Sequence, residues 1–192
     1  MNFELPADGS VNSKLKPEYS KLAVVALGSN LGDSARILRE ALAQLQALSD
    51  QPMLKSSLWQ TSPVDCPPGS PPFVNAVVAF IPRAEATPEQ LLRQLQDLER
   101  QFGRPPKKVL NEPRPLDLDL VVFGTESRDT SELTLPHPRA HLRRFVLQPL
   151  CEIAPELILP GQTQTSSALL RRLPPGEAVT RLPRASGSAA PH

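Results

Sequence analysis

Pro113-Arg114-Pro115-Leu116-Asp117-Leu118-Asp119-Leu120-Val121-Val122 decides how the rest of this chain is read. Leucine alternates with aspartate from Leu116 to Leu120, which is the period of a half-buried strand. Leu116, Leu118 and Leu120 then point into a core, and Asp117 and Asp119 share the opposite face. Same-face carboxylates on one strand stand about 6–7 Å apart and repel each other. A divalent cation between them relieves that repulsion. Magnesium suits the pair, because it takes one or two protein carboxylates and completes its shell with phosphates and water. Arg104, Lys107, Lys108 and Arg114 lie just upstream and supply positive charge for a polyphosphate. The second reading of the pair is edge protection, two charges on a solvated strand bounded by prolines.

Outward from this strand, the chain organises itself into short elements. Upstream, Thr87-Pro88-Glu89-Gln90 is a capping signature with proline at the first helical position. The helix it opens buries Leu91, Leu92, Leu95, Leu98 and Phe102 and stops at Gly103; Gln96 and Glu99 lie together away from that stripe. Phe73 to Ile81 reads as a strand, and Leu54 to Gln60 as a weaker one, separated by a proline-rich loop from Thr61 to Pro72. Leu22 to Leu27 is a buried strand closed by Gly28-Ser29-Asn30-Leu31-Gly32-Asp33, and Asp33 or Ser34 caps a helix carrying Ile37, Leu38, Ala41, Leu42, Leu45 and Leu48. That turn lacks the Lys-Ser/Thr ending of a P-loop and the glycine spacing of a dinucleotide fingerprint. The order is β-α-β-β-α-β: an α+β protein with a ferredoxin-like core, its helices packed on an antiparallel sheet. Extra C-terminal β and α elements follow: a hairpin around Thr134, then helical turns from His141 to Glu152. Residues 1–20 read as a flexible leader, 21–175 as a single domain and 176–192 as a flexible tail.

Bulk properties narrow the function. The chain has 192 residues, 40% hydrophobic and 21% charged, with a net charge of +1. That is enough for one core and gives no global attraction to nucleic acid or an anionic membrane. No apolar run approaches the roughly 20 residues of a membrane span, and the N-terminus lacks a signal-peptide h-region, so a cytoplasmic protein is expected. Cys66 and Cys151 are far apart, without C-x-x-C spacing, which argues against a structural zinc site or a disulfide.

Other residues extend the site. Phe73 and Asn75 share a strand face and offer a flat apolar surface beside an amide, which suits a planar heterocycle with a hydrogen-bonding edge. A core phenylalanine and a strand-end asparagine would look the same. His137 stands between two prolines and precedes Arg143, Arg144 and Phe145, a grouping able to bind phosphate or to be plain surface.

Taken in order, several blocks resemble the 6-hydroxymethyl-7,8-dihydropterin pyrophosphokinases of folate biosynthesis. They are Ala26-Leu27-Gly28-Ser29-Asn30-Leu31-Gly32-Asp33, Thr61-Ser62-Pro63, Phe73-Val74-Asn75-Ala76, Gly103-Arg104 and Pro113 to Asp119. Leu133-Thr134-Leu135-Pro136-His137-Pro138 and Arg143 to Leu150 complete the series. The resemblance implies transfer of diphosphate from ATP to the pterin hydroxymethyl oxygen with release of AMP. It implies that Asp117 and Asp119 hold two Mg²⁺ ions, and that Arg104 and Arg114 act near the phosphates, Arg114 on a closing loop. Phe73 and Phe145 would sandwich the pterin; Asn75, Thr61, Ser62 and Val64 would read its edge. Gln96, Glu99, Lys107, Leu120, Leu133, Thr134, His137 and Arg143 would contact ATP. A monomer is the family-based expectation, with no nucleic-acid or membrane partner. Where many members carry an aromatic residue and a glycine in the closing loop, this chain has Asn111 and Glu112. A homologue that binds pterin or ATP without turnover is therefore one alternative, and a ferredoxin-like RNA-binding module is another. The latter wants aromatic and basic residues on the open sheet face, where this chain has acids.

Overall fold

Every residue of Ala23–Ser29 (β1) is buried, because this strand lies at the middle of a sheet with both faces covered. The computed structural model describes residues 20–63, 69–104, 112–176 and 178–183. After β1, Asp33 caps α1 (Ser34–Leu45) by accepting the Arg36 N–H, and Leu38, Ala41 and Leu45 turn inward. The expected strand from Leu54 to Gln60 is divided into β2 (Leu54–Lys55) and β3 (Trp59–Thr61). Ser56 causes the break. Its hydroxyl accepts the Val77 N–H at 2.9 Å, taking the place of a ladder carbonyl. Next comes β4 (Phe73–Phe80), then α2 (Pro88–Gln101), opened by the Thr87/Gln90 capping box. At the end of α2 Gly103 turns the chain with φ +82°, a conformation that favours glycine.

The strand carrying the aspartates is β5 (Asp117–Phe123). A two-stranded hairpin, β6 (Arg128–Asp129) with β7 (Thr134–Leu135), precedes α3 (Arg144–Ile153) and α4 (Ser166–Arg172). A last strand, β8 (Val179–Arg181), pairs with β3. The tail expected from 176 onward therefore begins with an ordered strand. A three-residue strand between Pro175 and Pro183 is too short a periodic run to stand out from the tail's composition. The leader expected at 1–20 lies outside the described residues except for Ser20, as does the tail beyond 183.

The large sheet runs β5-β1-β4-β3-β8, antiparallel throughout, with β2 also paired to β4. One face packs on α1 and α2 through Val25, Leu27, Leu38, Leu45, Phe80 and Leu95, with Leu116, Leu118 and Leu120 in the same core as their alternation requires. The other face packs on α3 and α4 through Val24, Ala26, Val77, Ala79, Leu147 and Leu150. Between Val24 and Val25 the pairing of β1 with β5 slips, from Val122 to Leu120. The bulge leaves Val121 as an extra residue, so Val121 and Val122 both join this second core. Beyond Ala26 and Val77 the same face has no such core. There it carries the polar row described next.

Candidate active site

Strand register builds the floor of the site. Asp117 stands opposite Gly28 on β1, Gly28 opposite Asn75 on β4, and Asn75 opposite Trp59 on β3. One step inward, Asp119 stands opposite Ala26. Gly28 is there for room. A Cβ on it would lie 3.2 Å from Asn75 Oδ1, 3.7 Å from the Phe73 ring and 3.9 Å from Asp117 Cβ. Asn75 is buried, and its Nδ2 donates to Thr61 Oγ1 at 2.8 Å, which fixes the sense of the amide. Phe73 is half-buried at the start of β4, and Phe145 lies in the first turn of α3. Each ring has a guanidinium over it: Arg114 lies 5.9 Å from the Phe73 centroid and Arg143 5.3 Å from that of Phe145.

Charge converges on the two aspartates. Asp117 accepts Arg104 on Oδ1 at 2.8 Å and Arg114 on Oδ2 at 2.5 Å. Arg104 also pairs with Glu99, whose carboxylate accepts the Leu118 N–H at 2.7 Å. Burial pushes the Glu99 carboxyl up to about 7, against the pull of the Leu118 N–H and Arg104. Burial likewise raises Asp119, and the neighbouring Asp117 charge adds to it; His137, Arg143 and Arg114 draw it back. His137 is lowered chiefly by burial, with Asp119 opposing. Its main-chain N–H donates to Val121 O at 2.8 Å, docking the segment after β7 onto β5.

The structure thus brings together Arg104, Arg114, Asp117, Asp119, Phe73, Asn75, Thr61, Glu99, His137, Arg143 and Phe145. Other expected residues fall elsewhere. Glu99 does not share a solvated face with Gln96: Gln96 is exposed and Glu99 is buried, because Leu118 and Arg104 supply the partners that let its carboxylate leave water. Leu120 and Leu133 are buried in the core beside α1 and α2, on the face away from Asp119. Thr134 is exposed on β7, and Ser62 is exposed with its N–H directed to Ala178 O at 3.4 Å. Val64 and Lys107 lie outside the described residues.

Asn30 also belongs to the site, in a role its residue type does not announce. Its Oδ1 accepts the Arg114 N–H at 2.9 Å and its own N–H donates to Arg114 O at 3.2 Å, so the end of β1 holds the main chain at Arg114 from both sides. Its Nδ2 and Arg114 Nε are buried without hydrogen-bond partners among the described residues. The Gly28-Ser29-Asn30 turn was the available signal, since it follows a buried strand directly into the site.

A metal fits here as a shared ligand rather than in a protein cage. Among the described residues no three His, Cys, Asp or Glu side chains cluster for metal binding. Two carboxylates on one strand, one raised by burial and by its like-charged neighbour, form the sparse oxygen set that magnesium completes from phosphate and water.

Comparison with known proteins agrees with this geometry. Residues 24–155, from β1 to just past α3, match the model of the 7,8-dihydro-6-hydroxymethylpterin-pyrophosphokinase family. The chain belongs to this family. A 2-amino-4-hydroxy-6-hydroxymethyldihydropteridine pyrophosphokinase from Synechocystis is 35% identical over 157 residues, covering 82% of this chain and 78% of that protein. Its counterpart from Haemophilus influenzae is 38% identical over 139 residues, covering 72% and 85%. The Bacillus subtilis enzyme is 37% identical over 139 residues, covering 72% and 81%. Among solved structures, an HPPK-DHPS crystallised with substrates superposes with a TM-score of 0.61 at 13% identity, covering 78% of this chain and 42% of that one. Wild-type HPPK-DHPS from Plasmodium falciparum gives 0.59 at 14% identity, covering 78% and 40%. This chain spans about two-fifths of those longer chains, and they share its fold: helices packed on an antiparallel sheet. The family's relatives are diphosphokinases, so the aspartate row belongs to an enzyme of folate biosynthesis.

Proposed function

We propose that this enzyme transfers diphosphate from ATP to the hydroxymethyl oxygen of 6-hydroxymethyl-7,8-dihydropterin and releases AMP. The observation that carries the reading is the row Asp117–Gly28–Asn75, with Phe73 at its rim. With Asp119 one step inward, it sets an acid pair beside a flat apolar surface and an oriented amide. Asn75 reads the pterin edge while Phe73 and Phe145 take its faces. A guanidinium is planar and stacks on an aromatic ring much as a heterocycle does. Pterin entry therefore displaces Arg114 from Phe73, leaving Asp117 as the partner its guanidinium exchanges when it turns toward phosphate oxygens. Arg104 and Arg143 add positive charge from α2's end and α3's start, and His137 supplies a neutral donor or acceptor between them. Positioning and charge neutralisation are what phosphoryl-type transfer asks of a protein, with no covalent step on a side chain.

Asp117 and Asp119 would hold two magnesium ions, which when bound neutralise the triphosphate and acidify the acceptor hydroxyl. The expected nucleotide contacts of Gln96, Lys107, Leu120, Leu133 and Thr134 stay part of the proposal, with Leu120 and Leu133 acting through their main chains. The strand order β5-β1-β4-β3 supports a ferredoxin-like core, with α3, α4, β8 and the hairpin as additions. In this proposal the enzyme is a cytoplasmic monomer of one domain; no helix among the described residues is long and apolar enough to cross a membrane.

Asp117→Ala and Asp119→Ala test the assignment. Each should lower kcat about 10³-fold, the equivalent of roughly 4 kcal/mol of lost charge stabilisation, while the circular-dichroism spectrum is unchanged. Near-full activity in both variants would reject the metal-holding role.

A further inference from the structure

The C-terminal strand lies outside the residues that match the family model, yet it is bonded to the strand that lines the acceptor side of the site. Val179 pairs with Thr61 and Arg181 with Trp59; Leu182 N–H donates to Leu58 O at 2.8 Å, and Ala178 O receives the Ser62 N–H. Burial does little to hold this strand. It is three residues long, and only Val179 is half-buried. What fastens it is a polar clasp. The Arg181 guanidinium donates from Nε to Ser57 Oγ and from NH2 to Glu152 Oε1, both at 2.8 Å. Glu152, near the end of α3, also accepts the Ser57 hydroxyl at 2.7 Å, the Ser57 N–H at 2.8 Å and Trp59 Nε1 at 3.1 Å. One carboxylate thus receives four donors from β8, from β3 and from the residue leading into it.

The consequence reaches the site in two steps. β8 holds β3 at Thr61, and buried Thr61 Oγ1 receives Asn75 Nδ2. That bond decides which way the Asn75 amide faces over Gly28. The same α3 that ends at the clasp begins beside Phe145, so both walls of the acceptor pocket are tied to Glu152.

We propose that β8, fastened by Arg181 to Ser57 and Glu152, is a positioning element of the pterin pocket that keeps Thr61 and the Asn75 amide in their reading orientation. Arg181 and Glu152 touch no substrate; they act through β3. This rests on the proposed pterin site, and it concerns only that side of the active site. The nucleotide side is built from α2, β5, the segment after β7 and Arg143 at the start of α3, nine residues before Glu152; none of its side chains joins the clasp bonds named above.

The test is calorimetric titration of the full-length protein and its Arg181→Ala, Arg181→Lys and Glu152→Gln variants with 6-hydroxymethyl-7,8-dihydropterin, and separately with MgATP. Half of the Arg181 side chain is exposed (52%), so its removal leaves a folded protein. Arg181→Ala should weaken pterin binding at least fivefold and leave MgATP binding within twofold. Arg181→Lys, which keeps the charge without the fork, should fall between wild type and Arg181→Ala. Glu152→Gln should follow Arg181→Ala in direction. Pterin binding within twofold of wild type in Arg181→Ala would overturn the proposal. So would a parallel loss of both ligands, the pattern of general loosening. A wild-type protein that binds MgATP but no pterin would overturn the functional reading itself, and the positioning role with it.

Discussion

Glu99→Gln changes one atom of a buried carboxyl and should alter how stability depends on pH. In the folded protein burial lifts the Glu99 carboxyl from an ordinary 4.5 to about 7. Between those values the folded chain holds a proton that the unfolded chain releases. Stability therefore falls as pH rises through this window; the penalty is absent below the lower value and complete above the upper one. At about 1.36 kcal/mol per pKa unit the full penalty is roughly 3 kcal/mol, most of which develops between pH 5 and pH 8. Glutamine keeps an oxygen for the Leu118 N–H and removes the titration. Urea unfolding of both proteins, with chelator present and at pH 5, 6, 7 and 8, gives the difference directly. Wild type should lose about 2–3 kcal/mol relative to Glu99→Gln across that range, a shift of roughly 5–10 °C in Tm. Parallel pH curves, within about 0.5 kcal/mol throughout, would refute the claim that burial governs Glu99.

Two further substitutions probe the floor and rim of the site. Gly28→Ala places a methyl group 3.2 Å from Asn75 Oδ1 and against Phe73; pterin binding should weaken about tenfold while stability changes by no more than about 1–2 kcal/mol, and calorimetry with chemical denaturation reads both. Asn30→Ala removes the acceptor for the Arg114 N–H. It should reduce stability by about 1–2 kcal/mol and kcat about tenfold with little change in pterin affinity; the kcat loss should vanish in an Arg114→Ala background, while the stability loss should remain because the bond is to the main chain.

The legible parts of the fold are those whose signals are local. Alternation in Leu116 to Leu120 placed three leucines in one core and both aspartates on the other face, and the structure has them there. The Thr87-Pro88-Glu89-Gln90 signature marks the start of α2, with both capping-box bonds formed. What escaped depends on partners distant in sequence. Ser56 breaks a strand because of Val77. Glu99 is buried because Arg104 and the Leu118 N–H meet it, so a polar residue three positions from exposed Gln96 has no surface to share. β8 forms because Ser57 and Glu152, more than a hundred and about thirty residues away in sequence, receive one guanidinium. Asn30 was visible as a turn residue; its hold on the Arg114 main chain across 84 positions was not.

The central claim is diphosphate transfer to a pterin, and the nucleotide product tests it most directly. Purified protein is incubated with ATP and Mg²⁺, with and without 6-hydroxymethyl-7,8-dihydropterin, and the nucleotides are separated by anion-exchange chromatography. The account predicts AMP that forms only when pterin is present, in a one-to-one ratio with pterin diphosphate, and no ADP. ADP as the product, or AMP formed equally without pterin, would contradict it.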